Sequence, residues 1–322
     1  MEYKQNSSPA AHFESFAPIQ SKAQSVESFN PELPFAEMPR VSIVMPTLNE
    51  RENLPHVLTR IPRWVHELVM VDGHSEDGTV ETAKQLWPND LIVTGQRGQR
   101  SFPVTFRRRA KETVLRLVSQ RRKGKGEALR RGFEAATGDI VVIMDADGSN
   151  DPRELTSFVG ALLAGADLVK GSRFLQGGGT ADMSYFRYLG NWCFVRMVRI
   201  FFGCKFSDLN YGYIAMWRRL VPELQLDGDG FEIETMMNVR ALKLGLKVAE
   251  VPSFEDKRIH GTSNLRTIPD GWRVLMTILR ERIGVASNGK TAPASRSDAV
   301  TKNQNGEHDT ENPASEASTS RT

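Results

Sequence analysis

Three clusters of carboxylate and turn residues each follow directly on a short β-branched or apolar run. They are Pro46-Thr47-Leu48-Asn49-Glu50, Asp72-Gly73-His74-Ser75-Glu76-Asp77-Gly78-Thr79 and Asp145-Ala146-Asp147-Gly148-Ser149. In the last, the run Ile140 to Met144 delivers Asp145 to a strand end, and the following turn brings Asp147 back toward the same point. Two hard oxygen ligands then face one crevice, with Asp72 at a neighbouring strand end. Such a pair with open positions suits Mg2+ or Mn2+ shared with a diphosphate, because these ions keep few protein ligands and accept phosphate oxygens. An Asp-Gly turn with capping aspartates is the plainer alternative.

Other chemistries are disfavoured by missing motifs. The chain has no G-x-x-x-x-G-K-[ST], no G-x-G-x-x-G after a strand, no G-x-S-x-G and no H-E-x-x-H. One competitor survives, since a strand followed by Asp-x-Asp also opens phosphatases of the haloacid dehalogenase type, where the first Asp is the nucleophile. There the motif lies near the start of the domain, whereas here two strand-end clusters precede it.

The elements that must position these clusters read as alternating strands and helices. Val41 to Met45, Glu67 to Val71, Leu115 to Val118, Ile140 to Met144 and Leu168 to Lys170 have strand character. Glu52 to Ile61, Thr79 to Leu86, Lys125 to Ala136 and Arg153 to Leu163 have helical spacing and end near Gly or Pro. Repeated alternation implies an α/β fold with a mostly parallel, doubly wound sheet whose ligands sit at the carboxyl ends of the strands. The folded unit spans residues 39–284, flanked by tails at 1–38 and 285–322 that read as disordered from their Ser, Pro, Thr and charge content. Within it, the Gly- and Arg-rich stretch Gln96 to Lys111 fits neither strand nor helix and reads as an insertion.

Charge sharpens the picture. Hydrophobic residues make up 39% of the 322, which excludes a fully disordered chain. Net charge is only +3, yet between Gln96 and Arg131 thirteen Lys or Arg face two acids, a local balance of +11. That asymmetry points to a surface that meets an anion, whether phospholipid, nucleic acid or a phosphorylated substrate. Aromatic residues there are limited to Phe102 and Phe106, with Phe133 just beyond, so no base-stacking platform is present and nucleic acid is not an expected partner. No stretch approaches the roughly 18–20 apolar residues of a membrane span, and Met1 to Ala11 is polar where a signal peptide would be apolar. The expectation is a cytoplasmic protein, or one peripheral to a membrane. Cys193 and Cys204 are too few for a disulfide framework or a zinc cage and are expected to be buried, reduced thiols.

Together these residues resemble the family 2 glycosyltransferases of GT-A (Rossmann-like) fold, and within them the dolichyl-phosphate or polyprenyl-phosphate sugar synthases. The resemblance covers about Arg40 to Arg282. The run from Val41 to Glu50 is similar to the family's P-T-x-N-E strand, and the run from Val71 to Thr79 to its V-D-D-x-S-x-D-G-T turn, with Gly73 in place of the second Asp. Lys123 to Leu129 resembles the G-K-G-x-A-L helix start, and Asp145-Ala146-Asp147 the D-x-D metal motif. Lys170 to Phe174, Asp208 to Tyr213 and Arg258 to Leu265 narrow the subfamily, the last being similar to R-x-x-G-x-S-K-L with Asn264 replacing Lys.

The resemblance implies transfer of a mannose- or glucose-type sugar from a GDP- or UDP-sugar donor by single displacement with inversion. Pro46, Asn49, Glu50, Asp72, Lys125, Asp145, Ala146 and Asp147 would bind the nucleotide-sugar, with Asp145 and Asp147 holding Mg2+ or Mn2+ against the leaving diphosphate. Arg173 and Arg258 would add bidentate phosphate contacts. A lipid-phosphate acceptor is already anionic and needs little help from a base, whereas a saccharide hydroxyl needs a carboxylate to take its proton. Glu232 and Glu234, at the start of a helix running to about Leu244, are the candidates, with Glu234 favoured as the one facing the site.

Access to a lipid acceptor has its own signature. Asn191 to Gly203 is an apolar segment with Arg196 and Arg199 on one edge, the composition of an interfacial helix, and Gly271 to Arg282 is a second candidate. The basic stretch would strengthen attachment to anionic lipid by roughly 1 kcal/mol per basic residue near the surface. The expected location is therefore peripheral, at the inner face of the cell membrane.

Overall fold

Alternation of apolar side chains along the first strand sets the two faces of the sheet. In β1 (Val41–Thr47), Val41, Ile43 and Met45 join one core while Val44 joins the other. The same period of two runs through β2 (Glu67–Asp72) and β6 (Ile140–Ile143), whose residues are all buried, as strands covered on both faces require. The computed structural model describes residues 38–87, 91–92, 104–107 and 113–284. The fold lies in the unit that begins at Arg40.

The remaining strands are β3 (Leu91–Ile92), β4 (Val104–Arg107), β5 (Val114–Ser119), β7 (Leu168–Ser172), β8 (Gly179–Thr180), β9 (Ile214–Trp217), β10 (Val248–Pro252) and β11 (Phe254–Glu255). Nine of the eleven described strands form one sheet in the order β10-β7-β9-β6-β1-β2-β5-β4-β3, and β11 pairs with β8 in a small second sheet. Within the large sheet only β4 and β9 run against the others. Chain order moves from β1 through β2 to β5 on one side, then returns to β6 on the other side of β1. The topological switch point therefore lies between β1 and β6, where an open α/β sheet forms its ligand crevice.

Helices cover both faces. Leu54, Val57 and Leu58 of α1 (Leu54–Leu58), Ala83 of α2 (Thr79–Leu86) and Leu155, Phe158 and Leu162 of α4 (Leu155–Leu163) pack on the Ile43 face. Ala128, Leu129 and Phe133 of α3 (Lys125–Ala135), with Ile233, Met237 and Ala241 of α6 (Glu232–Lys243), pack on the Val44 face. Each fully buried Leu, Ile or Phe contributes about 1.5–3 kcal/mol relative to exposure. A third cluster joins α5 (Tyr185–Phe202) and α7 (Thr267–Ile283) to α6 through Val195, Val198, Val239, Val274 and Ile278. Glu281 of α7 seals that junction by pairing with Arg240 at 2.7 Å and Lys243 at 2.6 Å.

The α/β, mostly parallel architecture agrees with the sequence reading, and two expectations need correction. Gln96 to Lys111 does contribute a strand, because Val104–Arg107 pairs antiparallel with β5. Its alternation of Val and Phe with Thr and Arg is masked by the surrounding arginines; the rest of that stretch, like both tails, lies outside the described residues. The cysteines are not buried: Cys193 is exposed and Cys204 half-buried. Helix α5 buries the stripe Asn191, Val195 and Val198, and Cys193 falls off it. No helix among the described residues is long and apolar enough to cross a membrane.

Candidate active site

Each polar cluster marked by the sequence is brought to the carboxyl edge of the sheet by its strand, and the loops there are tied to one another. After β1, the backbone N–H of Asn49 donates to Ser75 Oγ (2.9 Å), and its side-chain oxygen accepts from the backbone of Glu76 (2.9 Å). Gly73 N–H donates to the carbonyl of Thr47 at 2.8 Å. The Asp72 carboxylate is turned into its own loop, accepting from the backbone N–H groups of His74 and Ser75 at 3.1–3.3 Å. At the start of α3, Gly124 takes a φ of 119°, and a Cβ there or at Gly126 would run into the carbonyls of Asp229 and Gly228. Glycine thus lets the first turn of α3 press against the loop before α6, and this close approach aims Lys125 into the crevice.

The crevice is a cleft of about 1330 Å³. Of the residues singled out from sequence, Pro46, Glu50, Lys125, Asp145, Ala146, Asp147, Arg173, Glu232, Glu234 and Arg258 line it; Asn49 and Asp72 do not. Lys125 Nζ lies 2.8 Å from Asp145 Oδ1 and 2.7 Å from Glu234 Oε1. Burial works against the Lys125 charge, but Asp145 and Glu234 outweigh it and hold the ammonium above its usual range. Burial likewise pushes the Glu234 carboxyl up, with Lys125 opposing. Glu232 turns back instead, accepting from the backbone N–H groups of Asp229 and Gly230.

A second cation sits on the other Asp of the pair. Arg258 Nη2 is 2.9 Å from Asp147 Oδ2 and its Nη1 is 2.7 Å from Glu50 Oε1. Burial opposes the guanidinium charge, and Asp147 and Glu50 more than offset it. Burial also raises the Glu50 carboxyl, against hydrogen bonds from Asn53 and Arg258. The other Asp147 oxygen accepts from the backbone N–H and the hydroxyl of Ser149 at 3.0 and 2.7 Å.

Arg173 is walled in. Asp208 takes its Nε and Nη2 at 2.7 and 2.9 Å, Asn210 O takes Nη2 at 3.2 Å, and Glu255 takes Nη1 at 3.1 Å. Four of the five N–H directions of a guanidinium are thereby used, so the bidentate phosphate contact expected of Arg173 is not available to it here. The Asp208 carboxyl is held below its usual range, burial being outweighed by Arg173.

Sequence reasoning singled out the segment Asp208 to Tyr213 but not the pairing of Asp208 and Glu255 with Arg173. Asp208 and Glu255 lie 35 and 82 positions from Arg173, and no local pattern links them. Asn150 was also missed: its side-chain oxygen accepts from the Asp145 backbone at 2.9 Å, and its amide donates to the Tyr211 hydroxyl at 3.1 Å. Its place in the turn after the Asp-x-Asp motif was the one available signal.

Carboxylates and cations converge here at the switch point of a mostly parallel sheet, where folds of this kind hold their ligands. The sequence profile of glycosyl transferase family 2 matches residues 42–102 and 104–220, and the chain belongs to that family. Among its relatives, a dolichol-phosphate mannosyltransferase of Pyrococcus furiosus is 32% identical over 234 residues, covering 70% of this chain. The chain spans 59% of the length of that relative. A polyprenol monophosphomannose synthase of Mycolicibacterium smegmatis is 32% identical over 235 residues, covering 70% of this chain and 81% of the relative. Among solved structures, glucosyl-3-phosphoglycerate synthase from Mycobacterium tuberculosis in complex with Mn2+, UDP and glucosyl-3-phosphoglycerate superposes with a TM-score of 0.56 at 26% identity, covering 76% of this chain and 80% of that one. The fold is thus of the GT-A kind, and the phosphatase reading of Asp145 has no support from its relatives.

Proposed function

We propose that this chain transfers a hexose from a nucleotide-diphosphate donor to a polyprenyl phosphate, with inversion, in a metal-dependent single displacement at the inner face of the cell membrane. The observation that carries the reading is the cleft itself. Its inner end gathers Asp145, Asp147, Glu50 and Glu234 with Lys125 and Arg258, and the wall formed by α5 and α7 carries exposed apolar side chains between charged ones. Phe186, Ile268, Trp272 and Met276 line that wall while remaining exposed, Ile268 by 76% and Trp272 by 63%. A phosphate head fits the first region and a prenyl chain the second. The two relatives, a dolichol-phosphate mannosyltransferase and a polyprenol monophosphomannose synthase, support this acceptor.

The donor set suits a divalent ion. Asp145 and Asp147 are hard oxygen ligands on one turn, and no group of three or more His, Cys, Asp or Glu that could hold a metal occurs among the described residues. Two protein carboxylates with the remaining positions left to phosphate oxygens match the habit of Mg2+ and Mn2+. Bound there, the ion would supply Lewis-acid stabilisation of the leaving diphosphate. Solved neighbours that hold Mn2+ or Mg2+ with UDP support the choice.

The chain's own residues do the rest. Arg258 would contact the diphosphate, Arg173 would add a positive charge, and Asn150 fixes the Asp145 backbone. Glu234, the base that a hydroxyl acceptor would need, is engaged by Lys125, which favours an acceptor whose oxygen is already anionic. Transfer to a saccharide hydroxyl is the second reading, and the upward push on Glu234 by burial favours it. Helices α5 and α7 would rest on lipid: Trp192 is exposed with Arg196 stacked on its ring at 5.0 Å, while Arg199 is spent on the Phe206 carbonyl.

The reading is tested by giving purified protein a panel of labelled GDP- and UDP-sugars, a short polyprenyl phosphate and Mg2+ or Mn2+, with and without EDTA. Label should enter lipid from one donor and disappear with EDTA. Undiminished transfer by Asp147→Ala would remove the metal role.

A further inference from the structure

Of the four oxygens of the Asp-x-Asp pair, three are already engaged. Asp145 Oδ1 holds Lys125, Asp147 Oδ2 holds Arg258, and Asp147 Oδ1 accepts twice from Ser149. The two cations differ in how they are mounted. Lys125 projects from the first turn of α3, where Gly126 N–H is bonded to the Asp229 carbonyl, and it bridges two walls of the cleft. Arg258 projects from the strap between β11 and α7.

That strap is held by its backbone as well as by its arginine. Asp256 N–H donates to the Ser149 carbonyl (3.0 Å) and Ile259 N–H to the Asp147 carbonyl (3.1 Å). Asn53 exchanges two hydrogen bonds with the backbone of His260, at 2.8 and 3.1 Å. Ile259 packs against Gly148, where a Cβ would meet its Cδ1 at 2.5 Å. The Arg258 side chain can therefore leave Asp147 and Glu50 while the strap stays docked.

We infer that Arg258 is an internal counter-ion that occupies Asp147 in the donor-free protein, so that a divalent cation takes this carboxylate only together with a nucleoside diphosphate. A metal arriving alone must displace Arg258 from Asp147 and set a divalent charge beside a half-buried guanidinium that keeps only Glu50, a costly exchange. A diphosphate supplies oxygens to the metal and, at the same time, a new bidentate partner for the guanidinium. Metal and donor thus enter as one unit, and a stray cation is not retained between turnovers. This inference rests on the metal-dependent reading given above.

The test is a Mn2+ titration of the full chain followed by the EPR signal of free Mn2+, without sugar or acceptor, in the presence and absence of GDP or UDP. Wild type should bind Mn2+ weakly alone and tightly with one nucleotide. Arg258→Gln should bind Mn2+ alone about tenfold or more tightly than wild type, since a buried carboxylate has lost its counter-ion. In the same variant the nucleotide should strengthen Mn2+ binding less than it does in wild type. Arg258→Lys, which keeps one cation at the site, should fall between them and serves if the Gln variant does not fold. Equal Mn2+ affinity of wild type and both variants without nucleotide would overturn the inference while leaving the transferase reading intact. No Mn2+ binding by any form with either nucleotide would overturn both the inference and the metal dependence.

Discussion

Lys125 and Glu234 form an ion pair at 2.7 Å that joins the first turn of α3 to the first turn of α6 across the inner end of the cleft. Both side chains are nearly out of solvent, at 11% and 7% exposure. Removing one member of such a pair leaves the other charge uncompensated, so Lys125→Met should cost about 3 kcal/mol of stability. The double variant Lys125→Met with Glu234→Gln should recover part of that loss. Urea unfolding of wild type, both single variants and the double variant checks this, and full additivity of the two single changes would contradict it.

Gly212 stands against the same pair. A Cβ there would fall 2.5 Å from Glu234 Oε1 and 2.9 Å from Lys125 Nζ. Gly212→Ala is expected to displace the pair, lowering kcat/KM about tenfold or more while shifting Tm by only a few degrees. Steady-state kinetics beside a thermal melt would separate the two effects.

The opposite edge of the sheet sets a pH dependence. Burial would raise the Glu67 carboxyl, but hydrogen bonds from Ser42 Oγ (2.6 Å) and Thr137, with the Arg116 guanidinium, outweigh it and hold it below its ordinary 4.5. In the window between the lowered folded value and 4.5 the unfolded chain binds more protons than the native one, so stability rises with pH there. The contribution is fully present above that window and is lost as pH falls through the folded value. Glu67→Gln should flatten the acid limb of a stability-versus-pH curve from urea unfolding; an unchanged limb would contradict the assignment.

Trp192 of α5 and, lining the cleft, Trp272 of α7 are exposed by 49% and 63%. Replacing both by Glu should weaken binding to anionic vesicles about tenfold or more without changing Tm, since neither supports the core. Co-sedimentation at two salt concentrations measures it, with salt weakening the wild-type interaction through its arginines.

Much of the scaffold was legible because its central strands are continuous apolar runs. β1, β2, β5, β6 and β7, with α2 and α3, fall within a few residues of their predicted bounds. The reversed strand β9 went unseen: its four residues follow Tyr211 and Tyr213 without a break, and nothing local announces a chain reversal. The site was legible only as far as it is local. Asp145 and Asp147 share a turn, whereas Arg258 meets Glu50 across 208 positions. Asp72 illustrates a different limit, since the same short carboxylate that could reach a ligand can also cap its own turn, as it does here.

The acceptor is the point on which the functional reading turns, and one experiment addresses it directly. The full chain would be incubated with Mn2+ and the labelled nucleotide sugar that it turns over, offered side by side a short polyprenyl phosphate, the same polyprenol without phosphate, and 3-phosphoglycerate. Label should appear in the polyprenyl phosphate alone, because the cleft supplies cations for a phosphate head and Lys125 engages Glu234. Label in phosphoglycerate or polyprenol, with none in the polyprenyl phosphate, would contradict it and return Glu234 to the role of general base.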